Sequence, residues 1–326
     1  MSKLWLYYVL TLILFLFLII LTSWFVFPVF SKSAINIIAP LPSFLNRLEN
    51  DQVSMLGLWF PQTDKVKGSS IEKPEIRAEA AISYDLTINQ TLFEKNIRKK
   101  LPMASLTKIM TAAIALENKK EDDRYLVLKD SLVGENSMGL TEGEILSLND
   151  LLHGLLLVSG NDAAEVLAQN FPKGREKFIE AMNKKAKSLG LTDTNFTNPS
   201  GLEGDGNQYT TAYDLLVITR YALSSFELFR NIVSTFEFTV PYSNDHKEFY
   251  LQNETNLLTS YPGVKGVKDG YTPEAGLCLV TYLDYKGHKI LAVILGSSDR
   301  RYEMRELLDY SLESENLSSP SHKYQE

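Results

Sequence analysis

Leu277-Cys278-Leu279-Val280-Thr281-Tyr282-Leu283-Asp284-Tyr285-Lys286-Gly287-His288-Lys289-Ile290-Leu291-Ala292-Val293-Ile294-Leu295-Gly296 is the stretch that decides the fold. Two runs rich in aliphatic, β-branched and aromatic residues flank Tyr285-Lys286-Gly287-His288, so two antiparallel strands over 277–284 and 289–296 are predicted, joined as a hairpin. Outward from this hairpin, 265–271 and 236–240 have the same strand composition, and 300–312 predicts a closing helix. Upstream lies a helix-rich middle. Residues 105–117 carry apolar side chains at helical spacing (Ile109, Ala112, Ala113, Leu116), and 148–157 and 162–169 read as two apolar helices broken at Ser159-Gly160-Asn161. Residues 174–189 are amphipathic through Phe178, Met182, Ala186 and Leu189, with Gly190 where a C-cap glycine belongs. Thr211 and Asp214 resemble a capping box that opens a helix to about 224, and 80–84 with 91–93 read as a first hairpin. Strands, then helices, then antiparallel strands and a helix predict an α+β domain: a mainly antiparallel sheet flanked by helices, with a helical subdomain.

The chain has 326 residues, 44% of them hydrophobic, enough for one sizeable core. A formal net charge of -7 offers no basic field for phosphates, so no nucleic-acid partner is expected. The single cysteine, Cys278, lies in an apolar strand and reads as an inert buried residue. No pair among His153, His246, His288 and His322 has zinc-ligand spacing, so no metal site is expected.

At the N-terminus, residues 4–30 form an uncharged run of about 27 residues, longer than the roughly 20 that cross a bilayer. Tyr7, Tyr8 and Trp24 lie near its ends, and Phe25-Val26-Phe27-Pro28-Val29-Phe30 is too bulky for a signal-peptide cleavage site, so a retained single-pass anchor is expected. Lys3 and Lys32 balance one another across it, and the side must follow from function. The expected organisation is a cytoplasmic 1–3, a transmembrane anchor over 4–30, a Pro-containing stalk over 31–77, a globular domain over 78–312 and a polar tail over 313–326. Short apolar pieces of the stalk, such as 56–60, have the composition to dock on the domain.

Three short motifs carry candidate chemistry. Ser105-Leu106-Thr107-Lys108 spaces a hydroxyl and an amine three residues apart, on one face of a helix start. A serine is a poor nucleophile until a neighbour takes its proton, and a desolvated lysine beside a second cation can become that base. Ser159-Gly160-Asn161 sets a hydroxyl and an amide in an inter-helix turn, and Lys268-Asp269-Gly270 with Tyr271 sets a cation and a side-chain-free backbone position on a late strand. Alone each is weak. Ser70-Ile71-Glu72-Lys73 repeats the first spacing in the stalk, and Ser147-Leu148-Asn149 and Ser314-Glu315-Asn316 repeat the second.

In this order, on a helix start, a helix-to-helix turn and a strand, the three form the active-serine signature of penicillin-binding proteins and class A β-lactamases. From about 78 to 310 the chain resembles the low-molecular-mass penicillin-binding proteins, the serine D-alanyl-D-alanine carboxypeptidases. The blocks 101–112, 155–164, Asn198-Pro199-Ser200-Gly201-Leu202 and 261–268 carry the resemblance. It implies a β-lactamase/transpeptidase-like fold and removal of the terminal D-Ala from peptidoglycan stem peptides through an acyl-enzyme. β-Lactams become covalent inhibitors, no cofactor is required, and the domain lies outside the cell membrane. Ser105 is implied as nucleophile, Lys108 as its base, Ser159 and Asn161 as relay and orienting group. Lys268, Asp269, Gly270 and Tyr271 line the substrate side, with the backbone N–H groups of Ser105 and Tyr271 as oxyanion hole.

Asp269 departs from the family, which places Thr or Ser there to help hold the substrate carboxylate. Three readings stay open: a carboxypeptidase whose Asp269 is protonated or turned to a cation such as Arg300 or Arg301, a D,D-endopeptidase on cross-links, or an impaired wall-binding homologue. A β-lactamase reading would need a deacylating glutamate with asparagine four residues on; Glu227 and Asn231 have the spacing, in what reads as an ordinary helix end.

Overall fold

The computed structural model describes residues 12–15, 58–63, 71–255 and 257–321. Chain contacts separate 1–57 from a compact unit over 58–326. Of the expected anchor only 12–15 are described, as exposed helix; the rest of that expectation lies outside the described residues, among which no helix is long and apolar enough to cross a membrane.

The compact unit is built on a five-stranded antiparallel sheet in the order β2-β1-β9-β8-β7, from β1 (Ala80–Asp85), β2 (Gln90–Lys95), β7 (Val264–Thr272), β8 (Gly276–Tyr285) and β9 (His288–Ser297). Lys286 and Gly287, at φ 48 and 87, turn β8 into β9. Positive φ at both central residues is what a two-residue hairpin needs to match strand twist. The sheet is buried on both faces, which is why 290–295 is apolar without alternation. Leu291, Val293 and Leu295 join the core on one side; Ile290, Ala292 and Ile294 face the other, against Met304, Leu307 and Leu308 of α7 (Arg300–Ser314). Ser83 and Ser311 satisfy one another across this layer at 2.8 Å.

On the opposite face pack α1 (Thr107–Glu117), α2 (Leu148–Leu157), α3 (Asn161–Gln169), α4 (Arg175–Ser188), α5 (Ala212–Ser225) and α6 (Glu227–Val233). Helix α1 is buried from Thr107 to Ala115, so its sequence is apolar or small nearly all round. The Thr211 side chain caps α5, accepting from the Asp214 amide at 3.0 Å. The Asp214 carboxylate bonds Thr194 Oγ1 at 2.7 Å, so only half of the expected capping box forms. Gly190 follows α4 at φ 77, the left-handed position of a helix stop.

Two minor ribbons complete the unit: β3 (Tyr125–Leu126) with β4 (Ile145–Leu146), and β5 (Glu237–Val240) with β6 (Phe249–Gln252). Residues 58–63, placed in the stalk by composition, lie on β1. Trp59 meets Tyr84 edge-on at 5.3 Å, and Thr91 Oγ1 donates to the Gln62 carbonyl at 2.7 Å.

Candidate active site

Ser105 lies in a 3-10 turn, Ala104–Leu106, immediately ahead of α1, so the α-helix itself begins two residues later than expected from the motif. Ala104 holds φ 47, a left-handed conformation for a residue with a side chain. Strand β7 runs against this turn. A Cβ on Gly270 would stand 2.9 Å from Ser105 N and 3.1 Å from Ala104 Cβ, so glycine is what lets the strand pass the serine.

Lys108 is fully buried in the first turn of α1. Its Nζ sits 3.0 Å from Ser105 Oγ, 2.8 Å from Asn161 Oδ1 and 2.7 Å from the Ser200 carbonyl oxygen. Burial first, and then the charge of Lys268, hold its amine well below the ordinary lysine value. A neutral lysine has two N–H groups and one lone pair. With Asn161 and Ser200 taking the two hydrogens, the lone pair is left for the Ser105 proton.

The Ser200 carbonyl is delivered by the loop after α4. Asn198 Oδ1 accepts from the amides of Ser200 at 3.2 Å and Gly201 at 2.7 Å, while its Nδ2 donates to Leu202 O at 2.8 Å. Gly201, at φ 92, lies so close to the nucleophile turn that a Cβ there would fall 2.0 Å from Ala104 O. The block 198–202 thus has a structural reason: it brings an acceptor to the lysine and backs the serine.

Ser159 and Asn161 come from the α2–α3 turn. Ser159 adopts φ 57 and buries a hydroxyl that has no partner among the described residues, a costly state unless a ligand or water completes it. Asn161 Nδ2 donates to Gly134 O at 3.2 Å, and its backbone amide to Asn136 O at 2.8 Å, tying the turn to the loop 134–140. Asp162 fastens that loop, accepting from Ser137 Oγ at 2.5 Å and from the amides of Met138, Gly139 and Leu140 at 3.0–3.1 Å.

On the facing side, Lys268 is fully buried, with Nζ donating to the Asp269 carbonyl at 2.9 Å and to Asp269 Oδ1 at 3.0 Å. Arg300, at the start of α7, donates from Nη2 to Asp269 Oδ2 at 2.6 Å and from Nη1 to the Gly270 carbonyl at 2.7 Å. Burial pushes the Asp269 carboxyl up, but Lys268 and then Arg300 pull it down further, and it lies below the ordinary carboxylate value. Asp269 is thus turned to a cation, Arg300, as one of the three readings of the sequence had it, with Lys268 as a second partner.

Ser105, Ser159, Asn161, Asp269, Gly270 and Tyr271 all line one cleft of about 200 Å³, with Lys108 directly behind Ser105. Tyr271 stands 60% exposed at the rim. The structure adds residues that motif reading did not place in the site: the Ser200 carbonyl, and Glu135 and Glu254 on the lining, where Arg300 also stands. Glu227 and Asn231 fall on α6, exposed and off the cleft lining. His153 stacks on Phe238 at 3.6 Å and bonds the Asn149 carbonyl, a packing role.

The model of the D-alanyl-D-alanine carboxypeptidase family matches residues 67–299. The chain is 33% identical over 243 residues to the D-alanyl-D-alanine carboxypeptidase DacF of Bacillus subtilis, covering 72% of this chain and 62% of that one. It is 33% identical over 238 residues to the D-alanyl-D-alanine carboxypeptidase DacB2 of Mycobacterium tuberculosis, covering 72% and 80%. The crystal structure of the Streptomyces K15 DD-transpeptidase superposes with a TM-score of 0.69 at 30% identity, over 74% of this chain and 99% of that one. With a matching fold, a family match over residues 67–299 and one cleft that gathers the three motifs, the chain belongs to the D-alanyl-D-alanine carboxypeptidase family, among the penicillin-binding peptidases of β-lactamase-like fold.

Proposed function

We propose that the protein is a serine-type D-alanyl-D-alanine carboxypeptidase that removes the terminal D-Ala from peptidoglycan stem peptides. Ser105 Oγ attacks the carbonyl carbon of the penultimate D-Ala while Lys108 takes the hydroxyl proton. The backbone N–H groups of Ser105 and Tyr271 carry the developing oxyanion. The scissile C–N bond breaks, the proton passes by way of Ser159 to the leaving amine, and D-Ala departs. Water then hydrolyses the ester, with Lys108 again as base. A β-lactam enters the same path and stops at the ester, since its amine remains tethered. Lys268 supplies the positive potential that keeps Lys108 neutral.

The observation that carries this reading is the geometry of Lys108: a buried amine whose acceptors leave its lone pair 3.0 Å from Ser105 Oγ. The same chemistry gives the uncharged run at 4–30 a purpose, as the anchor that holds the domain at the outer face of the cell membrane where its substrate lies. Release of D-Ala from a synthetic pentapeptide is the test. Ser105→Ala and Lys108→Met are each expected to lower kcat by about 10³-fold or more. A Ser105→Ala protein within tenfold of wild type would refute the mechanism.

A further inference from the structure

Both cations on the far side of the cleft are already spoken for. Asp269 bridges them, one carboxylate oxygen 3.0 Å from Lys268 Nζ and the other 2.6 Å from Arg300 Nη2. Among the described residues, Lys268 Nζ donates only to Asp269, through side chain and carbonyl, and the second Arg300 branch is held by the Gly270 carbonyl. Lys108 is committed to Ser105, Asn161 and Ser200. Two further carboxyl groups, Glu135 and Glu254, line the same cleft. A peptide that ends in a free carboxylate therefore brings a negative charge to a place where the protein has installed its own, 8% exposed and fixed at both oxygens.

We propose that Asp269 is a specificity-determining residue: an internal counter-anion that removes the advantage of a free C-terminal carboxylate, so that the cleft accepts, beside the free acid, D-alanyl peptides whose leaving amine carries no ionised carboxylate. Such substrates end in an amide, or are cross-linked through a side-chain amine. The bond changes are the ones given above. The D-alanyl C–N bond breaks, the Ser105 ester forms, and the proton goes to the departing amine, which is that of D-alaninamide or of the second strand where the free acid would release D-Ala. The inference rests on the D,D-peptidase reading of this cleft, but its test does not need turnover. Charge alone makes the prediction: like charges held a few ångströms apart repel, and an anion already paired must be displaced before another can take its cations.

The test uses the full-length Ser105→Ala protein and measures, by calorimetry, the Kd of two matched acyl-D-Ala-D-Ala peptides, one a free acid and one a C-terminal amide. With Asp269 present the amide binds at least as tightly as the acid. Adding Asp269→Thr, or the near-isosteric Asp269→Asn, shifts the acid-to-amide preference tenfold or more toward the acid, by tightening the acid and leaving the amide within about threefold. Acid binding tenfold tighter than amide with Asp269 in place overturns the proposal. So does an acid-to-amide ratio that neither substitution moves. Failure of penicillin to label Ser105 in the unsubstituted protein would strike the catalytic reading instead, and would leave these two ratios standing.

Discussion

Lys108 is where the chemistry is decided, because a lysine can act as base only after it has lost its proton. Burial and the neighbouring Lys268 favour that loss, while the charge of Asp269 opposes it. The sign of the pH dependence follows: kcat/KM rises with pH through the depressed Lys108 pKa, since the active form is the deprotonated one, and the acid limb reports that group. Removing the Asp269 charge removes an influence that holds the proton on. Asp269→Thr is therefore expected to move the acid limb to lower pH, read as penicillin acylation rate against pH; a shift to higher pH would contradict the electrostatic account. The motif residues could be picked out because each is a side chain, or a missing one, at a fixed spacing: Ser105, Ser159, Asn161, Asp269, Gly270 and Tyr271 line this one cleft, with Lys108 behind Ser105 and Lys268 bonded to Asp269. The third partner of Lys108 could not. It is the Ser200 carbonyl, and a backbone oxygen has no letter in a sequence. Arg300 was visible as a cation near the end of the chain, but only the β9–α7 turn puts it 2.6 Å from Asp269.

At the scale of elements, strand β7 and the turn Ala104–Leu106 are held together at Gly270, and the spacing leaves no room for a side chain. Gly270→Ala is expected to push the strand from the nucleophile and slow acylation by about 10²-fold, the order associated with a misplacement of about 1 Å. Circular dichroism should show the fold retained, and an acylation rate equal to wild type would contradict the contact. The sheet could be read from the two hydrophobic runs around Lys286-Gly287, because a strand covered on both faces needs apolar residues throughout. The ribbon of β5 and β6 could be read only by half. Phe249–Gln252 is four residues long with two side chains exposed, and the polar segment before it, including Pro241, gives no periodicity to follow. Helix α5, expected to run to about 224, ends at Ser225; Phe226, with an extended φ of -129 and ψ of 108, separates it from α6.

For the molecule as a whole, the proposed function gives attachment to the uncharged run at 4–30 and catalysis to the compact unit over 58–326. The full-length protein is expected to stay with bacterial membranes through a high-salt and carbonate wash, followed by immunoblot; recovery in the wash would contradict an integral anchor. Domain limits were less legible than motifs. Residues 58–63 have a linker's composition, yet Trp59 and Gln62 are bound to the β1–β2 hairpin by contacts with residues some 25 positions away. Apolar composition at 56–60 indicates a piece able to dock; the partners, Tyr84 for Trp59 and Thr91 for Gln62, are fixed only in three dimensions. The central claim, that Ser105 is the nucleophile of a penicillin-binding peptidase, is tested most directly by reacting the full-length protein with fluorescent penicillin and mapping the modified peptide by mass. A stable ester on the peptide containing Ser105, absent from Ser105→Ala, is the predicted result; label on another residue, or none at all, would contradict it.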